Sequence, residues 1–290
     1  MPQLRFDSEG QLAVAASNPA VGGRAKVDLA IVCPMANEGD NAAAFARAVL
    51  QQCSGFHSVK FLAVVDKAST DNTRQILEDL GHSNSDVVVV WAPENRCAVD
   101  AYLRGYKEAL VRRADWILEI DAGFSHQPED IPQFFDQMQK GCDCVFGSRF
   151  MKGGKISEGS SKRYFVSRMG TVLSNLLLGT KLADMTSGFE MFSSRALAYI
   201  LDRGIQSRAH FFQTEIKVYC RNLKIVEVPI HYKSPSPRMK SSAITDAFRQ
   251  LGRLFALRLT AKLRGLSEDQ PGHNNDLSTY ASDARVRGGM

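Results

Sequence analysis

The residues with chemical potential gather where apolar runs end. Asp28-Leu-Ala-Ile-Val-Cys33 leads into Pro34, Asn37 and Glu38, and Phe61-Leu-Ala-Val-Val65 leads into Asp66. Val87-Val-Val-Val-Trp91 leads towards Asn95, and Trp116-Ile-Leu-Glu-Ile120 leads into Asp121. Carboxylates placed this way hold hard divalent cations, which in turn neutralise phosphate oxygens. A second group is basic. Arg149 follows the run Cys144-Val-Phe-Gly-Ser148, Arg163 and Arg168 come soon after, and Arg238 and Lys240 lie in a Pro/Ser stretch. Arginine grips two phosphate oxygens at once through its planar fork; scattered surface arginines are the plain alternative. No Gly-x-Gly-x-x-Gly follows the first run and no phosphate-loop motif ending in Gly-Lys-Ser/Thr occurs. A dinucleotide-binding dehydrogenase and a P-loop enzyme are therefore disfavoured. What is left is a nucleotide site built from carboxylates and a bound cation.

The elements that must position these groups read as an alternation. The short apolar runs at 28–33, 61–66, 87–91, 116–121 and 144–148 have the length and composition of buried strands. Between them, 41–52, 71–80 and 99–112 read as helices, with Ser69 or Asp71 as a plausible cap for the second. That alternation predicts an α/β fold with a mostly parallel sheet flanked by helices, whose ligands sit at the carboxyl ends of the strands. Beyond residue 150 a Gly-rich basic loop, an amphipathic helix, a helix at 211–220 and a strand at 225–232 follow. Leu4 and Phe6, then Leu12 and Val14, alternate around Asp7-Ser-Glu-Gly10 as in a hairpin.

Composition narrows the class further. The chain has 290 residues, 44% hydrophobic and 23% charged, with a formal charge of +5. The excess suits anionic ligands or acidic lipid surfaces and is too diffuse for nucleic acid. Six cysteines without a Cys-x-x-Cys pair read as reduced, mostly buried thiols of a cytoplasmic protein. No targeting segment and no uncharged apolar stretch of membrane-spanning length are seen.

Three stretches in order resemble family 2 glycosyltransferases of the GT-A fold: Cys33-Pro-Met-Ala-Asn-Glu-Gly-Asp-Asn41, Val64-Val-Asp-Lys-Ala-Ser-Thr-Asp-Asn-Thr73 and Ile120-Asp-Ala-Gly-Phe-Ser-His-Gln-Pro128. Within that family, Gly147-Ser-Arg-Phe150 with the Lys-Gly-Gly after it, Ser167-Arg168 and Thr186-Ser-Gly-Phe189 are similar to the dolichol- or polyprenyl-phosphate mannosyltransferase branch. The resemblance covers residues 28 to 250, about three quarters of the chain. It implies a single GT-A (Rossmann-like) catalytic domain and inverting transfer of a hexose from a nucleotide-diphosphate sugar. It also implies a polyprenyl-phosphate-type acceptor. On this basis Pro34, Asn37, Glu38, Asp66 and Asp121 bind the donor, and Arg163, Arg168, Arg238 and Lys240 bind the acceptor. Asp121, Arg149 and Arg168 carry catalysis, and Asp121 with Ser125 holds Mg²⁺ or Mn²⁺.

Three positions depart from the family pattern. Lys67 stands where a second Asp usually follows Asp66, and lysine has no acceptor for a base N–H. Gly123 replaces the second carboxylate of the family's Asp-x-Asp, which predicts a cation site that is either weaker or completed by Ser125, His126, water and the donor's own phosphates. His126 reads equally as a packed histidine and as a ligand. Glu190 stands where an arginine is common. These departures keep open a nucleotide-sugar-binding protein without turnover, beside a transferase acting on a glycan hydroxyl. A hydroxyl acceptor needs a general base, for which Asp184 and Glu215 are the candidates; a phosphate acceptor is already anionic and needs none.

Residues 1–25 are read as hairpin and linker, 26–243 as the glycosyltransferase domain, and 267–290 as a disordered tail. Residues 244–266 carry a basic amphipathic helix, with Phe248, Leu251, Leu254, Phe255 and Leu259 largely on one side. Such a helix packs on its own domain or lies on an anionic bilayer, here at the cytoplasmic face of a membrane.

Overall fold

The computed structural model describes residues 27–157, 161–233 and 241–263, with the short strands β1 (Arg5–Phe6) and β2 (Leu12–Ala13), which pair antiparallel. The expected linker, the tail beyond 263, Arg238 and Lys240 lie outside the described residues.

In chain order the elements are β3 (Leu29–Pro34), α1 (Ala42–Gln52), β4 (Val59–Val65), α2 (Thr73–Ser83), β5 (Val87–Trp91) and α3 (Ala98–Val111). Next come β6 (Trp116–Glu119), a 3₁₀ turn at Pro128–Asp130, α4 (Ile131–Met138), β7 (Cys144–Ser148), β8 (Lys155–Ile156) and α5 (Ser161–Leu178). β9 (Glu190–Ser193), α6 (Ser194–Asp202), α7 (Phe212–Tyr219), β10 (Ile225–Pro229), β11 (His231–Tyr232) and α8 (Ser241–Leu263) complete the described chain. The main sheet has seven strands in the order β10-β7-β9-β6-β3-β4-β5. All its pairings are parallel except those of β9, which runs antiparallel between β6 and β7.

Both faces of the sheet are covered, which is why β3 and β4 read as unbroken apolar runs. On one face Phe45 and Val49 of α1, Leu77 of α2 and Phe134 of α4 pack on Ile31, Phe61 and Leu118. On the other, Tyr106 of α3, Leu197 of α6 and Ile216 of α7 pack on Val32, Leu62 and Ile117. Each large side chain so buried contributes about 1.5–3 kcal/mol. Helix α3 lies unusually close to the sheet, because a Cβ at Gly105 would stand 2.3 Å from Val32 Cγ1. Only glycine allows that approach.

The expected single strand at 225–232 is two pieces. Pro229 has no N–H to continue the ladder, so β10 ends there. Ile230 donates to Ser148 O at 3.0 Å, and β11 then pairs with β8 in a separate small sheet.

Helix α8 packs on α5 and on the body of the domain. Leu251 and Leu254 are buried against Leu178, Met185 and Val218, whereas Phe248 and Leu259, expected on that same side, are exposed. Two of its basic residues turn inwards: Arg253 pairs with buried Glu215, and Arg258 Nη1 donates to Leu177 O at 2.8 Å, where α5 ends. No helix among the described residues is long and apolar enough to cross a membrane.

Candidate active site

The ends of β3, β4 and β6 and the start of β9 meet at one edge of the sheet, and the candidate residues collect there. The loops after β3 and β4 are locked together by Asn37. Its backbone takes a left-handed φ of 58°. Its side-chain amide donates to Ala68 O at 3.1 Å, and its Oδ1 accepts from Thr70 N at 2.9 Å. The Asn37 amide is therefore engaged in joining two loops. Asp71 is structural, as its position before a helix suggests. It accepts from Gly39 N at 2.9 Å and Thr73 N at 3.1 Å, and hydrogen bonds from Thr73 hold its carboxyl down at about 2. Asp66 Oδ1 accepts from Ala68 N at 2.8 Å, shaping the turn at the end of β4. Pro34 closes β3, and Glu38 follows with its N–H donated to Thr73 Oγ1 at 2.7 Å.

Asp121 stands just past β6 with its side chain 41% exposed. Its Oδ1 accepts a hydrogen bond from Tyr102 of α3, a residue that sequence reasoning missed. Nothing local marks Tyr102, but a helix following a parallel strand begins at the ligand edge, so its first turns are the place to look. The chain then reverses through Gly123 (φ 78°) and Phe124 (φ 58°), whose ring packs edge-on against Phe45 at 5.0 Å. Ser125 lies beyond that reversal, and its hydroxyl is held on Ala122 O at 3.4 Å.

His126 is packed between Phe189 and Tyr232, at ring separations of 5.2 and 5.1 Å. Only 2% of it is exposed, and burial pushes its pKa down to about 4. Among the described residues its Nδ1 has no hydrogen-bond partner, and it lies 3.7 Å from Asp121 Oδ2. A half-exposed carboxylate beside an orphaned buried imidazole nitrogen suits a divalent cation that draws most ligands from water and substrate phosphate. Among the described residues no three His, Cys, Asp or Glu side chains converge into a ready cage.

The basic side differs from expectation. Arg149 makes its two-pronged grip on Asp184, through Nε at 2.7 Å and Nη2 at 2.9 Å, and Nη2 also donates to Thr186 Oγ1 at 2.6 Å. The fork read as a phosphate clamp is engaged with a buried carboxylate, so in this structure Arg149 shapes the loop before β9. Burial opposes charge on Asp184, but the Arg149 guanidinium outweighs it and brings the pKa to about 2. Arg168 is exposed at the rim. Its guanidinium sits over the Phe150 ring at 5.4 Å, on the same ring that Arg149 approaches at 5.2 Å, and donates to Ala183 O at 3.1 Å. The side chain of Arg163 lies outside the described residues.

Glu215 is closed in. It accepts from Ser207 N at 2.8 Å and Tyr219 Oη at 2.8 Å, and pairs with Arg253. Glu190 is buried in β9 and pairs with Lys217, itself fully buried and donating to Ser187 O at 2.7 Å. Glu190 therefore belongs to the core and not to an acceptor surface. Directly across β6 stands Glu119, buried, bonded by Tyr106 and Gln213, and pushed well up in pKa by burial and by Glu190.

Residues 30–201 match the family described as Glycosyl transferase family 2, and the chain belongs to that family. It is a glycosyltransferase. Among curated relatives it is similar to a polyprenol monophosphomannose synthase of Mycolicibacterium smegmatis, 28% identical over 75% of this chain and 83% of that one. It is also similar to an undecaprenyl-phosphate mannosyltransferase of Micrococcus luteus, 32% identical over 58% of this chain and 70% of that one. Among solved structures, glucosyl-3-phosphoglycerate synthase from Mycobacterium tuberculosis, in complex with Mn²⁺, UDP and phosphoglyceric acid, shares the fold. It has a TM-score of 0.50 at 16% identity, over 80% of this chain and 78% of that one.

Proposed function

We propose that this glycosyltransferase moves a hexose from a nucleotide-diphosphate sugar to the phosphate of a polyprenyl phosphate, with inversion at the anomeric carbon. The observation that carries this reading is the lack of a serviceable base among the candidates. Asp184 is ion-paired and held near pKa 2, and Glu215 is buried under its donors. His126 is depressed to about 4. None suits removal of a proton from a sugar hydroxyl, whereas a phosphate monoester attacks with the charge it already carries. Its oxygen forms the new bond to the anomeric carbon as the bond to the donor diphosphate breaks on the opposite face. A divalent cation, when bound at Asp121, neutralises the charge that gathers on the departing diphosphate. Tyr102 orients Asp121 for that task, and Arg168 at the rim offers donors to the acceptor phosphate. The two mannosyltransferase relatives and the Mn²⁺ and UDP in the structural neighbour support the reading.

The helices beside the rim support a lipid acceptor. Phe165, Met169, Val172 and Leu176 recur along α5 at spacings of four, three and four, one helical face, and all are exposed, Leu176 by 74%. Phe248 and Leu257 of α8, the helix that packs on α5, are exposed as well. A contiguous apolar surface of this kind marks an interaction site. On our reading it rests on the cytoplasmic face of a bilayer, where the acceptor's chain is dissolved.

Two measurements test this. With radiolabelled donors and Mn²⁺, transfer is expected to a short-chain polyprenyl phosphate and not to the matching alcohol, and to stop in EDTA. Arg168→Ala should raise the acceptor KM more than it lowers kcat. Equal transfer to the alcohol, or an unchanged acceptor KM, counts against the assignment. In flotation with anionic vesicles the wild type is expected to float and Phe165→Glu/Leu176→Glu to remain below. If both float equally, the α5 surface is not the contact.

A further inference from the structure

We propose that Glu38 is the second carboxylate of the cation site, supplied by the loop after β3 in place of the one missing at Gly123. The inference rests on the reading of Asp121 as the donor's cation site and deepens it. Gly123 has φ 78°, a conformation that side-chain-bearing residues avoid. A Cβ built there would stand 3.0 Å from Glu38 Oε2 and 3.2 Å from Oε1. The Glu38 carboxylate therefore fills the space that an Asp side chain at 123 would enter. The charge lost from the end of β6 returns from a neighbouring loop.

Glu38 is held as a ligand would be. Its backbone is fixed on both sides: its N–H donates to Thr73 Oγ1, and its carbonyl accepts from Asn41 N at 2.9 Å and Ala42 N at 2.7 Å. Its carboxylate has neither a hydrogen bond nor an ion pair among the described residues, although it is half-buried. Asp121 mirrors this. Tyr102 holds its Oδ1, and its Oδ2 is faced by the orphaned Nδ1 of His126, which is buried and aimed at it. Two protein carboxylates, with the remaining positions left to water and donor phosphate, suit Mg²⁺ or Mn²⁺.

The test is Mn²⁺ binding followed by electron paramagnetic resonance, on the full chain with UDP and, in parallel, with GDP. Glu38→Gln is expected to weaken Mn²⁺ about tenfold or more, because affinity follows the number of ligand charges. Its metal-free melting temperature is expected to equal or exceed that of the wild type, since a buried charge has been removed. Gly123→Asp alone is expected not to tighten Mn²⁺, because Glu38 already fills that space. If Glu38→Gln binds Mn²⁺ like wild type while Asp121→Asn does not, this proposal falls and the Asp121 site stands. Tighter Mn²⁺ binding by Gly123→Asp likewise overturns it. If the wild type binds no Mn²⁺ with either nucleotide, the cation site itself falls, and Glu38 with it.

Discussion

Asp121→Asn is expected to lower the rate of sugar transfer by roughly 10²–10³-fold, the usual cost of removing one preorganised electrostatic contact from a transition state. The melting temperature should hardly change. The side chain is 41% exposed, and the hydrogen bond it accepts from Tyr102 can be accepted equally by an asparagine oxygen. The loss is expected in kcat and kcat/KM together, because the charge being balanced develops only as the diphosphate departs. Tyr102→Phe, which frees Asp121 without uncharging it, should give a smaller loss in the same direction. Steady-state rates at saturating donor and Mn²⁺ decide the matter. Near-wild-type turnover in Asp121→Asn would mean that the chemistry lies elsewhere on this edge.

Arg149→Met is expected to destabilise the protein by about 3–5 kcal/mol, the cost of leaving a buried carboxylate without its counter-charge. The double variant Arg149→Met/Asp184→Asn should recover most of that loss. The dependence on pH supplies the sharper signature. In the wild type the folded pKa of Asp184, about 2, lies below its ordinary 3.8. Its contribution is therefore present above pH 3.8 and lost as pH falls towards 2, up to about 2 kcal/mol. In Arg149→Met the same carboxyl keeps its hydrogen bonds from Thr186 but is buried without its counter-charge, and its pKa is expected to rise. That term changes sign, and the deficit relative to wild type narrows as the carboxyl protonates. Urea unfolding from pH 7 to pH 3 reads both trends. A deficit that is constant over this range and not relieved in the double variant would show that the cost has another source.

The parallel strands were legible because a strand buried on both faces must be apolar along its whole length, as 28–33 and 61–66 are. The four-residue strand β9 was not. It carries Glu190, whose charge is tolerable in the core only because Lys217, far along the chain, meets it there. The same reason separates position from role at the site. Asp121 was legible as lying just past the end of β6 because a strand end is a local feature. Asn37 and Arg149 also lie past strand ends, but their partners, Ala68 and Asp184, are 31 and 35 residues away. A residue's type announces what it can bind; only the fold says whether something already has. Gly123 is the converse case. It reads as a deficit in sequence, and the carboxylate standing over it comes from a loop that no spacing rule connects to it.

Strand β9 has one more consequence. Because it runs against its neighbours, it is entered from the edge where β6 and β7 end, so the Asp184–Thr186 loop lies at that edge beside Arg149. The chain between β7 and β9 thus leaves the sheet and returns to it at the same edge. It carries Arg149, Arg168 and the apolar face of α5 in one continuous excursion. On the proposed reading acceptor recognition is a cassette, residues 149–189, inserted between two strands of a sheet whose other half serves the nucleotide.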